Sequence, residues 1–255
     1  MLTGERTLPG IADERYWFAR HVVAYRHLAG LLGELAAATD PPVVVLDAGC
    51  GEGYGLAMLR EAGADHVVGV DLDATTAAHA RWRYAGSDRG VEVLRAELGD
   101  LPLSDGEMTC SVSLQVIEHL HDVGGALAEL RRVTRRGGTV AIATPNRLTF
   151  TPDSEVPVNP FHTREFTAAE LATELTAAGL PVERFLGVHH GARLAAAEAT
   201  SGASLPEQLA TGPPESWPRE LRRLVHSVVT DDFELREGAL DASLDLLAIC
   251  RVPDR

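Results

Sequence analysis

The amino-acid sequence predicts a doubly wound α/β domain, and three features predict it. Short apolar runs alternate with longer helical stretches, the pattern of a mostly parallel sheet covered on both faces. The run Val43–Leu46 leads into Asp47 and then glycines at 49, 51, 53 and 55, a strand that turns sharply toward a helix. A second run, His66–Val70, ends in Asp71, about 20 residues past those glycines, where such sheets hold ligands at their strand tips. At 255 residues and 45% hydrophobic content, the chain can bury one substantial core and reads as a single domain. It divides into an N-terminal lid helix over 1–40, a ligand-binding core over 41–188, an insertion over 189–241 and a last strand within 242–255.

In the N-terminal segment, Trp17, His21, Tyr25 and Leu28 fall on one face of an amphipathic helix, with Asp13 as its cap. Tyr16, Trp17 and Phe18 serve either core packing or a lid over the ligand. Arg20 is the residue of choice for a ligand carboxylate, because a guanidinium matches it bidentately, and Arg26 competes. The glycine stretch does not fit the dinucleotide fingerprint. Counted from Gly49, the third glycine position holds Tyr54, and counted from Gly51 it holds Leu56. Leu56–Leu59 begin a helix that Gly63 ends, so the loop is expected to deliver its amides toward a ligand at a helix N-terminus.

At the second strand, the Asp71 carboxylate suits two ribose hydroxyls, while Asp73 caps the helix Ala74–Tyr84. A third strand, Val91–Leu94, is followed by Glu97 and Leu98. The fourth, Met108–Leu114, runs into Gln115, Glu118 and His119 at a strand-to-helix junction, where open parallel sheets carry chemistry. Helix Val123–Thr134 stops at Arg135-Arg136-Gly137-Gly138, and strand Thr139–Ala143 follows. The stretch 147–166 is a long loop above the sheet containing NPFHTREF, and its His162 is singled out. Thr167 and Glu170 form a capping box for a helix that Gly179 ends, before strand Pro181–Val188. His189 and His190 either reach the substrate pocket or lie on the surface. The insertion reads as helices plus loops, used for acceptor binding or for a subunit contact in a homodimer. Leu244–Val252 forms the last strand.

A formal net charge of −14 disfavours nucleic acid or an anionic membrane as a partner. No charged-then-apolar leader and no apolar run of about 18 residues is present, so a cytoplasmic place is expected. Cys50, Cys110 and Cys250 lie far apart without a CxxC pair, as reduced thiols would.

The segment DAGCGEG, with Asp47 two positions before its first glycine, closely resembles the S-adenosylmethionine loop of class I methyltransferases. A narrower likeness runs through LTGERTLP, YWFARH, SLQVIEHL, TPNRLTF, NPFHTREF and SLDLLAI. Together these resemble an actinobacterial methyltransferase group that includes a member from the mycobacterial methylglucose lipopolysaccharide gene cluster. The resemblance implies a Rossmann-like sheet of seven strands with the last antiparallel. It implies that Asp47 holds the cationic end of S-adenosylmethionine, and that Gly49, Cys50 and Gly51 form its loop. Asp71 and Leu72 would serve its ribose side, Glu97 and Leu98 its adenine amino group and ring face, with Gln115 beside the reacting end. Ubiquinone-pathway and small-RNA O-methyltransferases carry Glu-x-x-Glu-His, a metal-binding arrangement, where this chain has Gln115, Glu118 and His119. The resemblance sets His162 above the methyl donor, facing His119. Glu118, His119 and His162 then hold a divalent cation such as magnesium, or one histidine takes a hydroxyl proton directly. It also suggests a sugar or oligosaccharide hydroxyl as acceptor. A small phenolic, quinone or other natural product is the alternative, and a cofactor-binding regulator without transfer activity a third reading.

Overall fold

The structure, a computed structural model, describes residues 7–38, 42–86, 89–152 and 154–254. Residues 1–6 and 39–40 of the expected lid segment, with most of LTGERTLP, and residue 41 of the expected core lie outside the described residues. In chain order the elements are α1 (Arg15–Ala38), β1 (Val44–Ala48), α2 (Tyr54–Glu61), β2 (His66–Asp71), α3 (Ala74–Tyr84), β3 (Val91–Arg95) and β4 (Met108–Leu114). There follow α4 (Val123–Val133), β5 (Thr134–Pro145), α5 (Arg147–Phe150), α6 (Ala168–Ala177) and β6 (Val182–His190). The insertion contributes α7 (Ala192–Ser201), α8 (Leu205–Leu209), α9 (Arg219–Ser227) and β7 (Phe233–Glu237), and β8 (Asp245–Arg251) closes the sheet.

Strand order is β3-β2-β1-β4-β5-β8-β6-β7. Pairing is parallel from β3 to β5, and β8 runs antiparallel between β5 and β6. The expected seven strands are corrected to eight. The added β7 pairs antiparallel with β6, from Leu186 opposite Glu237 to His190 opposite Phe233. Its sequence FELRE is short and alternates a buried Phe233 with exposed charges, as an edge strand does. Within a polar, alanine-rich insertion that brief alternation is easily taken for loop.

Side-chain alternation divides the sheet between two cores. Val45, Val67, Val93 and Val112 face α1, α2 and α3 through Leu28, Leu56, Leu59 and Ala80. Leu46, Val68, Val140 and Ile142 face α4 and α6 through Leu127, Leu130, Leu171 and Leu175. All seven residues of β4 are buried, as a central strand between two helical layers requires. Local signals agree with these elements: Asp73 caps α3, Asp122 caps α4, and Thr167 with Glu170 forms the capping box of α6. Asp13 does not cap α1. It lies in a preceding short 3-10 turn and takes hydrogen bonds from Arg222 and His226 of α9.

A third cluster joins Tyr16, Ala19 and Val23 of α1 to Leu194, Leu205, Leu221 and Val225 of the insertion. The insertion is thus a buttress for the N-terminal helix. His189 and His190 belong to β6, and neither expected placement holds: His189 is 5% exposed, and His190 is tied to the Tyr16 hydroxyl at 2.7 Å and to Glu198 at 3.0 Å.

Candidate active site

Strand order reverses between β1 and β4, and the loops leaving those two strands open a cleft at their C-terminal ends, as topology predicts. A cavity of about 760 Å³ fills it. Its walls include Gly49, Cys50 and Gly51 after β1, Asp71 and Leu72 after β2, Glu97 and Leu98 after β3, and Gln115 and His119 after β4. Apart from Asp47 and Glu118, each strand tip thus delivers to the cavity the residues predicted from it. The N-terminal helix adds His21 and Tyr25, and Thr7 lies at the same cavity.

The glycine loop works by close packing. Gly49 has φ +83°, and a Cβ there would stand 2.4 Å from a methyl of Val116, so only glycine lets the loops after β1 and β4 touch. Its amides are already used: Gly49 and Cys50 donate to the Val70 carbonyl at 2.8 and 2.9 Å, and Gly51 donates to Asp71 Oδ2 at 3.0 Å. The expectation that these three amides point at a ligand is therefore corrected. A loop spent in this way is a poor phosphate cradle, a physical reason beyond glycine spacing to set a dinucleotide aside. Asp71 Oδ1 accepts from the Asp73 amide, so the carboxylate is fixed at the cavity wall.

Two predicted ligand residues stand elsewhere. Arg20 is 3% exposed; its guanidinium grips Asp245 with two hydrogen bonds of 2.5 Å and donates to the Leu244 carbonyl. Its competitor Arg26 pairs with Asp231 at the surface. Neither is directed at the cavity, because β8 and the insertion supply carboxylates that sequence order hides. Asp47 is fully buried, one layer behind the wall, and the Tyr25 hydroxyl donates to both of its oxygens at 3.2 Å.

Burial pushes the Asp47 carboxyl up to about 7, against the pull of the Tyr25 hydrogen bond and with the Asp71 charge adding to the rise. The folded chain therefore holds this proton more tightly than the unfolded chain does. Stability from the group is complete below about pH 4 and is lost as pH rises toward about 7. Melting temperatures of the cofactor-free protein should fall more between about pH 5 and about pH 7.5 than those of Asp47→Asn. Parallel curves for the two proteins would show that Asp47 is ionised throughout. His21 is driven the other way, to about 4, chiefly by burial, so the helix presents a neutral imidazole to the cavity.

Beside the cavity, Glu118, His119 and His162 come together, each with a ligand atom within 4.8 Å of the others. Gln115 enters this turn with φ +59°, an uncommon conformation for a residue with a side chain and one concentrated at functional sites. Glu118 is 1% exposed; Thr144 donates to its carboxylate at 3.0 Å, and burial pushes its carboxyl up to about 8. The loop 147–166 is tied to the same turn, since the Thr163 amide donates to the Glu118 carbonyl at 2.7 Å.

The two histidines differ. His119 Nδ1 lies 3.0 Å from the Phe161 carbonyl; a carbonyl can only accept, so Nδ1 carries the proton and the lone pair of the neutral ring is on Nε2. For His162, Asn159 Oδ1 accepts from the Phe161 amide, which turns the Asn159 amide nitrogen toward His162 Nε2 at 3.0 Å. Nε2 is thus an acceptor, and Nδ1–H donates to Glu165 Oε1 at 2.7 Å. Glu165 escapes a reading of the sequence that stops at His162, although it lies three residues further within the same NPFHTREF segment. It is buried, and among the described residues its second oxygen has no hydrogen-bond partner.

A family model described as a methyltransferase domain matches residues 46–142. Along nearly its whole length the chain is similar to two proteins described as probable S-adenosylmethionine-dependent methyltransferases. The one from Mycolicibacterium smegmatis is 45% identical over 99% of this chain and 95% of its own. The one from Mycobacterium tuberculosis is 44% identical over 99% of this chain and 89% of its own. Among solved structures, an S-adenosylmethionine-dependent methyltransferase of Thermotoga maritima, described as a possible histamine N-methyltransferase, shares the fold with a TM-score of 0.57. That match spans 95% of this chain and 96% of the other at 20% identity.

Proposed function

We propose, from the premise that this chain belongs to the class I S-adenosylmethionine-dependent methyltransferases, that it methylates a hydroxyl oxygen of a sugar or oligosaccharide with His119 as the base. The observation that carries the reading is the 3.0 Å contact between His119 Nδ1 and the Phe161 carbonyl, from which the tautomer follows. The proton sits on Nδ1 against the Phe161 carbonyl, and the ring lines the cavity into which the glycine loop and Asp71 also face.

The residues fit the methyl donor: Asp71 is a fixed carboxylate suited to a ribose diol, and Gly51, on the cavity wall, has open space where a side chain would begin. Gly49, Cys50, Gly51, Asp71, Leu72, Glu97, Leu98 and Gln115 would hold it. When bound, S-adenosylmethionine supplies an electrophilic methyl on a positively charged sulfur, a leaving group that needs no acid. The protein's share is to position the acceptor, exclude water with the α1 lid, and take the hydroxyl proton at His119 Nε2. A cytoplasmic place belongs to the same reading, and among the described residues no helix is long and apolar enough to cross a membrane.

A divalent cation such as magnesium, held by Glu118, His119 and His162, is the alternative to a histidine base within this proposal. His119 Nε2 would then be a ligand, and the ion would supply the positive charge that acidifies the acceptor hydroxyl, whose proton would leave to solvent. The unpartnered oxygen of Glu165 and the dry Glu118 carboxylate both favour a nearby positive charge. The sugar acceptor is supported by the likeness to the actinobacterial group. A second reading, a phenolic or quinone acceptor, is favoured by aromatic rings beside His162: Phe150 stands 5.4 Å from it, centre to centre, and Trp17 stands 6.5 Å beyond. Incubation with methyl-labelled donor and panels of saccharides and phenols decides between them. Label on saccharides is expected, label on phenols alone sinks the sugar reading, and donor binding without any transfer would point to a regulator.

A further inference from the structure

We infer that Glu165 supplies the second negative charge of the cation centre, acting through the imidazole of His162. The inference rests on the proposed cation. One carboxylate and two neutral imidazoles give a divalent ion a single negative charge and few oxygen ligands, which suits a hard cation poorly. Within the chain, however, a second buried carboxylate stands against the set. Glu165 Oε1 accepts a hydrogen bond from His162 Nδ1–H at 2.7 Å, the two side chains are 0% and 5% exposed, and among the described residues Oε2 has no hydrogen-bond partner.

A buried carboxylate with an unmatched oxygen is costly unless a positive charge is near. Among the described residues Arg147 is paired with Glu170, Arg164 with Glu174, and Arg20 with Asp245 through Nε and Nη2, although Arg20 Nη1 is itself buried without a hydrogen-bond partner. The side chain that Glu165 does touch is His162, so a positive charge held at the histidines would answer it. Of the two bonds on the His162 ring, the Asn159 contact joins neutral groups and the Glu165 contact is to a carboxylate, so the Asn159 contact is the weaker and yields first. His162 then offers Nε2 to the ion while Glu165 keeps Nδ1–H. The carboxylate fixes the ring and strengthens it as a ligand, as outer partners of metal-bound histidines do.

Manganese binding to chelator-stripped protein, followed by electron paramagnetic resonance and calorimetry, tests this. Glu165→Gln keeps an acceptor for Nδ1–H and removes only the charge. Its affinity for manganese is expected to fall roughly 10- to 100-fold, with S-adenosylmethionine binding unchanged because Glu165 lies off that cavity. Equal manganese affinity in the parent and Glu165→Gln overturns the inference and leaves the cation reading standing. Absence of binding in the parent overturns both. Should Glu165→Gln not fold, Asn159→Ala carries the test: uncapping Nε2 is expected to tighten manganese binding, and unchanged or weaker binding overturns the inference.

Discussion

Replacing His119 by Ala is expected to lower turnover roughly 100- to 10,000-fold, the range that a positioned general base contributes, while S-adenosylmethionine binding stays close to that of the parent. His162→Ala should cost less, because its Nε2 is already engaged by Asn159 and its Nδ1 by Glu165. The asymmetry follows from which ring atom meets a carbonyl and which meets an amide. Single-turnover rates with labelled donor, measured beside calorimetric donor binding, separate the two variants. Full turnover in His119→Ala on the true acceptor would remove His119 as the base. A loss confined to His162→Ala would transfer the role.

Breaking the Arg20–Asp245 pair is expected to have the largest effect on stability. Both partners are 3% exposed by side chain, and removing one leaves the other charge buried without compensation, at a cost of roughly 3–5 kcal/mol. For a domain of this size, Arg20→Met should therefore lower the melting temperature by on the order of 10 °C. Asp245→Asn should do much the same. The double variant Arg20→Met, Asp245→Leu should recover most of the loss, since two apolar residues leave no stranded charge. Additive losses in thermal melts would show that the two groups are not coupled. Because Arg20 lies one residue before His21, the single variants should also weaken donor binding by loosening the helix whose His21 and Tyr25 line the cavity.

The parts of this protein that were legible in its sequence are those set by local rules. Alternating apolar runs marked β1, β2 and β4, Asp73 marked the start of α3, and Thr167 with Glu170 marked α6, because periodicity and capping act over a few residues. The wall of the cleft was equally legible, since in an open parallel sheet the strand tips all face one cleft. Gly49, Gly51, Asp71, Glu97 and Gln115 needed only their place in the chain to be brought together.

What tertiary structure alone decided are the long-range pairings. Arg20 and Asp245 are 225 residues apart, so no local pattern could show that the arginine's Nε and Nη2 are held by a carboxylate of the last strand. The FELRE strand becomes the eighth strand only because β6 presents an open edge to it. The choice between His119 and His162 depends on Phe161, Asn159 and Glu165, which reach the rings through the folded loop. Sequence determined the methyl-donor fold and the composition of its cleft, because those follow from strand order and short-range chemistry. Charge compensation and imidazole tautomers are settled by neighbours in space, and only the packed molecule brings those neighbours together.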